Sequence, residues 1–281
     1  MVHDQLTIVA VYGHNDGSSA IPALLRSMRE LPGSQALLIS NARPIDLPLE
    51  IQWAHTKPLN YYQYSLFMMY ALHTYIETEY CLTVQDDGWV LDGKNFREEF
   101  YNYDYIGSPT HAGLHEDKLY LQFSWQNVQD PVVVQNGGFS LRSRKFLEAP
   151  ARHGIMHTMH KVEPFINEDV QLSCLLKEQM ESVGVKYAPL WLAKNFGMEY
   201  KGPTFHDGFN YGYLLGHHAP NRKLISDTHI KCAHPLSKVI TYYGELDFLQ
   251  YLQHHGYTVE YFDEPAAKQE RTAQTDQGVL V

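Results

Sequence analysis

Cys81-Leu82-Thr83-Val84-Gln85-Asp86-Asp87-Gly88 is an apolar run that leads straight into three polar residues and a glycine. Its first half reads as a short buried strand. Gln85-Asp86-Asp87-Gly88 then lies beyond a strand's carboxyl end, where ligands gather in open α/β sheets. Two adjacent carboxylates at such a place are costly unless solvated or paired with a cation. Mn²⁺ or Mg²⁺ bridging to a diphosphate would satisfy them, because these hard ions prefer oxygen ligands and keep substrate phosphates in their shell. An Asp-Gly turn with ordinary capping accounts for the same four residues equally well.

Upstream of this stretch, strand and helix signals alternate. Leu6–Tyr12 is a β-rich run ended by Gly13-His14-Asn15-Asp16-Gly17, and Ile21–Leu31 reads as a helix stopped by Pro32-Gly33. Ala36–Ser40 and Ile51–Ala54 read as strands, and Tyr61–Ile76, apolar on most sides, as a helix buried against a sheet. Alternation of this kind predicts an α/β fold with a mixed, mostly parallel sheet flanked by helices. Downstream the pattern is less regular. Phe96–Tyr101 reads as a short helix, Tyr105-Ile106-Gly107 as a strand ending at the turn Ser108-Pro109, and residues 110–130 as a long polar loop. Val132–Gln135 reads as a strand, Asp169–Val183 as an amphipathic helix, Val185–Ala188 as a strand and Leu246–His255 as a terminal helix. Residues 265–277 are polar and read as a frayed tail. The chain divides into a main domain at 1–235 and a C-terminal helical extension at 236–281.

With 44% hydrophobic and 13% aromatic residues, the 281-residue chain can bury a sizeable core, which excludes global disorder. The net charge of −10 argues against nucleic acid or an anionic membrane as a global partner. Cys81, Cys174 and Cys232 are far apart and form no CxxC pair, so buried reduced thiols are expected rather than a disulfide framework or thiolate zinc site. The strand signal at Leu6–Tyr12 leaves no room for a signal peptide, and no run approaches the ~20 apolar residues of a membrane span. The expectation is a cytoplasmic protein without integral membrane association.

Three further strings carry chemistry. In Asn136-Gly137-Gly138-Phe139-Ser140-Leu141-Arg142-Ser143-Arg144 the paired glycines allow positive φ and close approach of a ligand to the backbone. Asn136 can bond a sugar hydroxyl there, and Arg142 or Arg144 can neutralise a phosphate. A hairpin or bulge with solvated arginines is the plainer reading. Asn167-Glu168-Asp169-Val170, at a predicted helix start, offers either a general base or simple capping. His206, His217 and His218 are candidate nitrogen ligands; adjacent histidines on a strand face opposite ways, so one of the last pair enters any given site.

In this order, QDDG at 85–88, YDYIGSP at 103–109, NGGFSLRSRK at 136–145 and NEDV at 167–170 resemble a bacterial glycosyltransferase-like family of the GT-A fold carrying QTDG, YDYIGAPW, GNGGFSLRSRK and EDV. The resemblance covers roughly residues 5–220. It implies a GT-A-like fold and sugar transfer from a nucleotide-sugar donor to a hydroxyl-bearing acceptor, a glycan or glycoconjugate precursor of polysaccharide biosynthesis, with Mn²⁺ or Mg²⁺. It makes Asp87 the metal ligand, with Gln85 in place of the first acid and Asp86 as the alternative ligand. It makes His218 the ligand completing the shell, with His217 and His206 as reserves. Val11, Tyr12, Tyr61 and Ser65 would line the nucleotide; Gln85, Asp86, Asn136, Gly137, Gly138 and Arg142 would meet the donor. Glu168 or Asp169 would be the base of an inverting reaction. The alternatives are a non-catalytic nucleotide-sugar or glycan-binding module and a metal-dependent phosphohydrolase.

Overall fold

The computed structural model describes residues 1–115, 118–121, 132–158, 166–201 and 205–263. Along the chain run β1 (Leu6–Tyr12), β2 (Gln35–Ser40), β3 (Ile51–His55), β4 (Tyr80–Thr83), β5 (Gly88–Val90), β6 (Tyr105–His115), β7 (Lys118–Leu121) and β8 (Val132–Ser143). The helices in this part are α1 (Ile21–Glu30), α2 (Tyr61–Tyr70), α3 (Arg144–His153), α4 (Glu168–Val170), α5 (Lys177–Ser182) and α6 (Leu190–Phe196). Then come β9 (Gly197–Met198), β10 (Gly216–His218), β11 (Arg222–Leu224), β12 (His229–Cys232), α7 (Leu236–Val239), α8 (Glu245–His254) and β13 (Thr258–Glu260).

Seven strands form the central sheet in the order β3-β2-β1-β4-β8-β6-β7. The first four are mutually parallel; β8 runs against β4, β6 against β8 and β7 against β6, so five of the seven point one way. The result is a mixed, mostly parallel sheet flanked by helices. β1 is buried along its whole length, as a strand covered on both faces must be. Its alternate residues Ile8 and Ala10 join α1 and α6 through Leu24, Leu192 and Phe196, while Val9 and Val11 join α2 and α3 through Met68, Phe146 and Leu147. Local signals start the helices: α1 has a proline in its first turn, and α2 opens with a reciprocal capping box between Asn60 and Gln63.

Several elements differ from their sequence reading. The helix expected through Ile76 ends at Tyr70 and continues as a 3₁₀ turn over Leu72–Thr74. The expected turn at Ser108-Pro109 lies inside β6, and Val185–Ala188 contributes only a single bridge, Tyr187 to Tyr105. The amphipathic helix expected over Asp169–Val183 begins at Glu168 and is broken by a π-helical turn at Gln171–Leu175 between α4 and α5. Most importantly, the NGG string is not a hairpin turn, because Val132–Ser143 is one continuous strand. Part of the expected loop at 110–130 forms the β6–β7 hairpin; its remainder and the tail at 265–277 lie outside the described residues. Among the described residues no helix is long and apolar enough to cross a membrane.

A small sheet, β5-β10-β9, continues the chain beyond β4, and a third, β11-β12-β13, abuts it. Glu245 at the start of α8 reaches back to Arg222, whose Nη1 lies 2.5 and 2.6 Å from its two carboxylate oxygens; both side chains are buried. The Arg222 guanidinium also covers the Phe248 ring at 4.6 Å. Removing one partner of such a pair leaves a buried charge alone, so Glu245→Ala is expected to cost about 3–5 kcal/mol in urea denaturation. A loss under about 1 kcal/mol would place the pair with weak surface bridges.

Candidate functional site

Backbone pairing brings the acidic stretch and the late histidines together. After β4 the chain turns through Gln85-Asp86-Asp87, and β5 pairs antiparallel with β10, setting His218 opposite Gly88. The carbonyls of Asp87 and Asp86 accept the amides of Ala219 (2.9 Å) and Leu224 (2.8 Å), fixing the 219–224 segment alongside. Successive side chains then point to different places. Asp86 lines a cavity of about 790 Å³ with Val11, Tyr12, Asn60, Tyr61 and Lys223, and accepts the Lys223 ammonium at 2.9 Å. Asp87 lines a second cavity of about 410 Å³, where its Oδ1 lies 3.4 Å from Nε2 of His218. Tyr61, Tyr64 and Gln85 line both cavities and make them one cleft.

Gln85 is held at both ends of its amide. Its Nε2 donates to the Tyr64 hydroxyl at 3.1 Å and its Oε1 lies 3.1 Å from His218 Nε2. Asp86 is held through its backbone, whose N–H donates to the Tyr12 hydroxyl at 3.0 Å. Burial, then the Asp86 charge, raises that phenol's pKa well above its ordinary value.

The NGG string reaches the cleft through an irregularity in the ladder. β8 and β6 pair Ser140 with Gly107 and Gln135 with Pro109, so Asn136, Gly137, Gly138 and Phe139 stand against the single residue Ser108. Neither Gly137 nor Gly138 has positive φ, contrary to the sequence expectation. Glycine is needed for closeness instead. A Cβ on Gly138 would strike the His218 imidazole, and one on Gly137 would come within 2.5 Å of Glu168 Oε1 and 2.7 Å of Arg142 Nη2. Asn136 and Gly138 line the smaller cavity, and the Asn136 Oδ1 accepts the Gly138 amide at 2.7 Å.

Glu168 and Asp169 open α4 and line the same cavity. No side chain caps this helix: Asn167 instead donates its amide to the Tyr61 hydroxyl at 2.7 Å. Asp169 Oδ2 accepts the Gly137 amide at 2.9 Å, while Glu168 Oε1 accepts Arg142 Nη2 at 2.9 Å. Burial and the neighbouring Glu168 charge push the Asp169 carboxyl up to about 6.

Four positions expected at the site are elsewhere. Arg142 has no exposed surface, and its guanidinium is bound by Glu168, Ser140 and the Gly137 carbonyl beneath the bulge. Ser65 is fully buried on the inner face of α2, which presents Tyr61 and Tyr64 to the cleft. His217 points away from His218 into the core, its ring 4.0 Å from that of Trp89 and its Nδ1 accepting Arg222 Nε. His206 is buried with Nε2 bonded to the Lys194 carbonyl at 2.9 Å.

One residue that the sequence did not single out completes the smaller cavity. Glu199 is buried, its Oε1 lies 3.9 Å from His218 Nδ1, and its Oε2 has no hydrogen-bond partner. Asp87 Oδ1 and His218 Nδ1 are likewise buried without one. Among the described residues no three His, Cys, Asp or Glu are close enough to form a ready metal cage. Asp87 Oδ1 is an unfilled acceptor 3.4 Å from His218 Nε2, and the unfilled His218 Nδ1 faces Glu199 instead; Asp87 and His218 could hold an ion only with its other ligands taken from a bound molecule.

Residues 51–217, more than half of the chain, match the family described as protein of unknown function (DUF5672), and the chain belongs to that family. No curated protein matches the sequence. Two solved structures are similar over most of their length. A crystal structure of galactosyltransferase LgtC in complex with donor and acceptor sugar analogs shares 12% identity, covering 89% of this chain and 95% of that one, with a TM-score of 0.45. An active-site mutant of LgtC shares 14% identity, covering 91% and 97%, with a TM-score of 0.41. Both scores are too low to establish a shared fold.

Burial, then the Asp169 and Asp87 charges, pushes the Glu199 carboxyl from 4.5 up to about 8. The folded protein therefore holds this proton where the unfolded chain has lost it, and stability contributed below the unfolded value is lost as pH rises to the folded one. Between pH about 5 and about 8.5 the wild type is expected to lose more denaturation free energy than Glu199→Gln. Parallel profiles for the two proteins would show that Glu199 is solvated.

Proposed function

We propose that this chain is a GT-A-like glycosyltransferase that moves a sugar from a nucleotide diphosphate to a hydroxyl acceptor. The observation that supports it is the cleft, in which a large cavity meets a smaller acidic one at Tyr61, Tyr64 and Gln85. The larger cavity has the volume of a small-molecule site and mixes aromatic walls with a few polar groups, as such sites do. It suits the nucleoside. Lys223, at its rim beside Asp86, suits the diphosphate. The sugar then lies in the smaller cavity, between Asp87 and His218 on one side and Asp169 on the other.

Asp87 and His218 would hold a divalent cation, Mn²⁺ or Mg²⁺, which supplies charge stabilisation to the departing diphosphate. The His218 nitrogen nearest Asp87, Nε2, also meets the Gln85 amide oxygen at 3.1 Å, a contact that a bound cation would replace. Asp169 receives the proton of the acceptor hydroxyl as that oxygen bonds to the anomeric carbon and the carbon–diphosphate bond breaks. The attack comes from the side opposite the leaving group, so the reaction inverts the anomeric centre. A carboxyl raised toward neutrality is a better proton acceptor than an ordinary one, and the Gly137 amide keeps Oδ2 in place.

Screening nucleotide sugars for Mn²⁺-dependent release of nucleoside diphosphate tests the reading. With the donor so found, Asp169→Asn is expected to slow turnover about 10²–10⁴-fold while nucleotide binding persists. A wild-type rate in that variant would eliminate Asp169 as the proton acceptor.

Because Asp169 accepts a proton only when ionised, wild-type turnover should rise with pH through about 6 and level off above it. Asp87→Ala should abolish the metal dependence, measured as nucleoside diphosphate release against Mn²⁺ concentration.

A further inference from the structure

The buried Arg142 closes a ring of contacts around the reactive end of α4. Its Nη2 reaches Glu168 Oε1 at 2.9 Å and the Gly137 carbonyl at 3.2 Å, and its Nε reaches Ser140 Oγ at 2.9 Å. The Tyr105 ring lies 5.7 Å from the guanidinium carbon. Gly137, fastened by its carbonyl, turns its amide to Asp169 Oδ2 at 2.9 Å. One guanidinium therefore touches both Gly137 in the bulge of β8 and the first residue of α4, and Asp169, the second residue of α4, is held by the amide of that same Gly137.

We propose that Arg142 is a positioning residue for Asp169, acting through the Gly137 carbonyl and Glu168 to hold the bulge amide against the Asp169 carboxylate. This rests on the reading of Asp169 as proton acceptor. The planar fork of arginine is required, because a lysine ammonium is a single point that cannot span the bulge and the helix in the same way. Stability alone does not explain the pair, since a buried ion pair replaced by apolar residues of like volume is often no less stable. An apolar pair would leave the Gly137 carbonyl to Thr83 Oγ1 at 2.6 Å and Ser140 Oγ at 2.9 Å, both on the β4 and β8 side, and would remove the contact that ties that carbonyl to Glu168 on α4.

The test compares Arg142→Met, Arg142→Lys, Glu168→Gln and the double variant Arg142→Met/Glu168→Gln in the full chain. Thermal melting reports the fold, amide exchange reports Gly137, and kcat and donor KM are read with the nucleotide sugar that the wild type consumes. Arg142→Met leaves Glu168 buried without its partner and is expected to melt lowest. The double variant regains melting temperature, yet its kcat stays about 100-fold down with donor KM nearly unchanged, because the reacting carboxylate is misplaced while nucleotide contacts remain. Gly137 exchange stays at least about tenfold faster than in the wild type in both proteins. Arg142→Lys is expected to keep the charge and most of the stability without restoring kcat. Recovery of kcat together with stability in the double variant would overturn the proposal, as would unchanged Gly137 exchange. If the wild type consumes no nucleotide sugar, the transfer reading fails by itself, and Gly137 exchange in the double variant decides the positioning role.

Discussion

A guanidinium without solvent-exposed surface must find inside the protein both a counter-charge and acceptors for its N–H groups, or the chain cannot fold around it. Arg142 finds its counter-charge in Glu168 and acceptors for Nε and Nη2 in Ser140 Oγ and the Gly137 carbonyl, its Nη1 being buried without a partner among the described residues, and these groups come from two places, the bulge of β8 and the start of α4. The demand thereby fixes how the bulge sits against the helix. It explains why two glycines stand where they do, since the Arg142 and Glu168 side chains crowd one and the His218 ring the other. The π-helical turn that follows α4 belongs to the same region: Ser173 within it hydrogen-bonds the Gln135 amide at 3.0 Å, just before the bulge.

A second constraint is charge. Asp87, Glu168, Asp169 and Glu199 all line the smaller cavity, and Glu168 has its partner in Arg142. Burial and the Glu168 charge raise the Asp169 carboxyl, and burial with the Asp169 and Asp87 charges raises that of Glu199. Such an arrangement is unfavourable by itself and becomes favourable when a cation enters or a proton is accepted. Strain of this sort at a cleft accords with a site built to bind and react rather than to stabilise the fold.

Much of the first half was legible. β1, α1, β2 and β3 fall within a residue or two of their expected positions, because uninterrupted apolar runs bounded by glycine, proline and capping residues leave few alternatives. The second half was less so, for identifiable reasons. Ser108-Pro109 carries a turn signature yet lies in a strand, since the four-for-one irregularity of β8 absorbs the break in pairing. Val185–Ala188 has strand composition, but the chain passes the sheet with one bridge and turns into α6. Arg142 was read as a phosphate ligand from its charge and its neighbours. Its burial depends on α4, which follows far along the chain.

The residue pattern determined a sheet with helices on both faces, an acidic turn at the end of its fourth strand, and a pair of acids at a helix start, because periodicity and punctuation act over a few residues. It also implied that His217 and His218 must diverge, which strand geometry alone requires. Which of them meets Asp87 was decided by the pairing of β10 with β5, a contact between segments more than a hundred residues apart. The same holds for Glu199, an unremarked glutamate in sequence that becomes part of the cavity only because β9, just before it, pairs with β10. Local pattern encodes elements and turns; the meeting of side chains across the cleft depends on long-range packing that no short window contains.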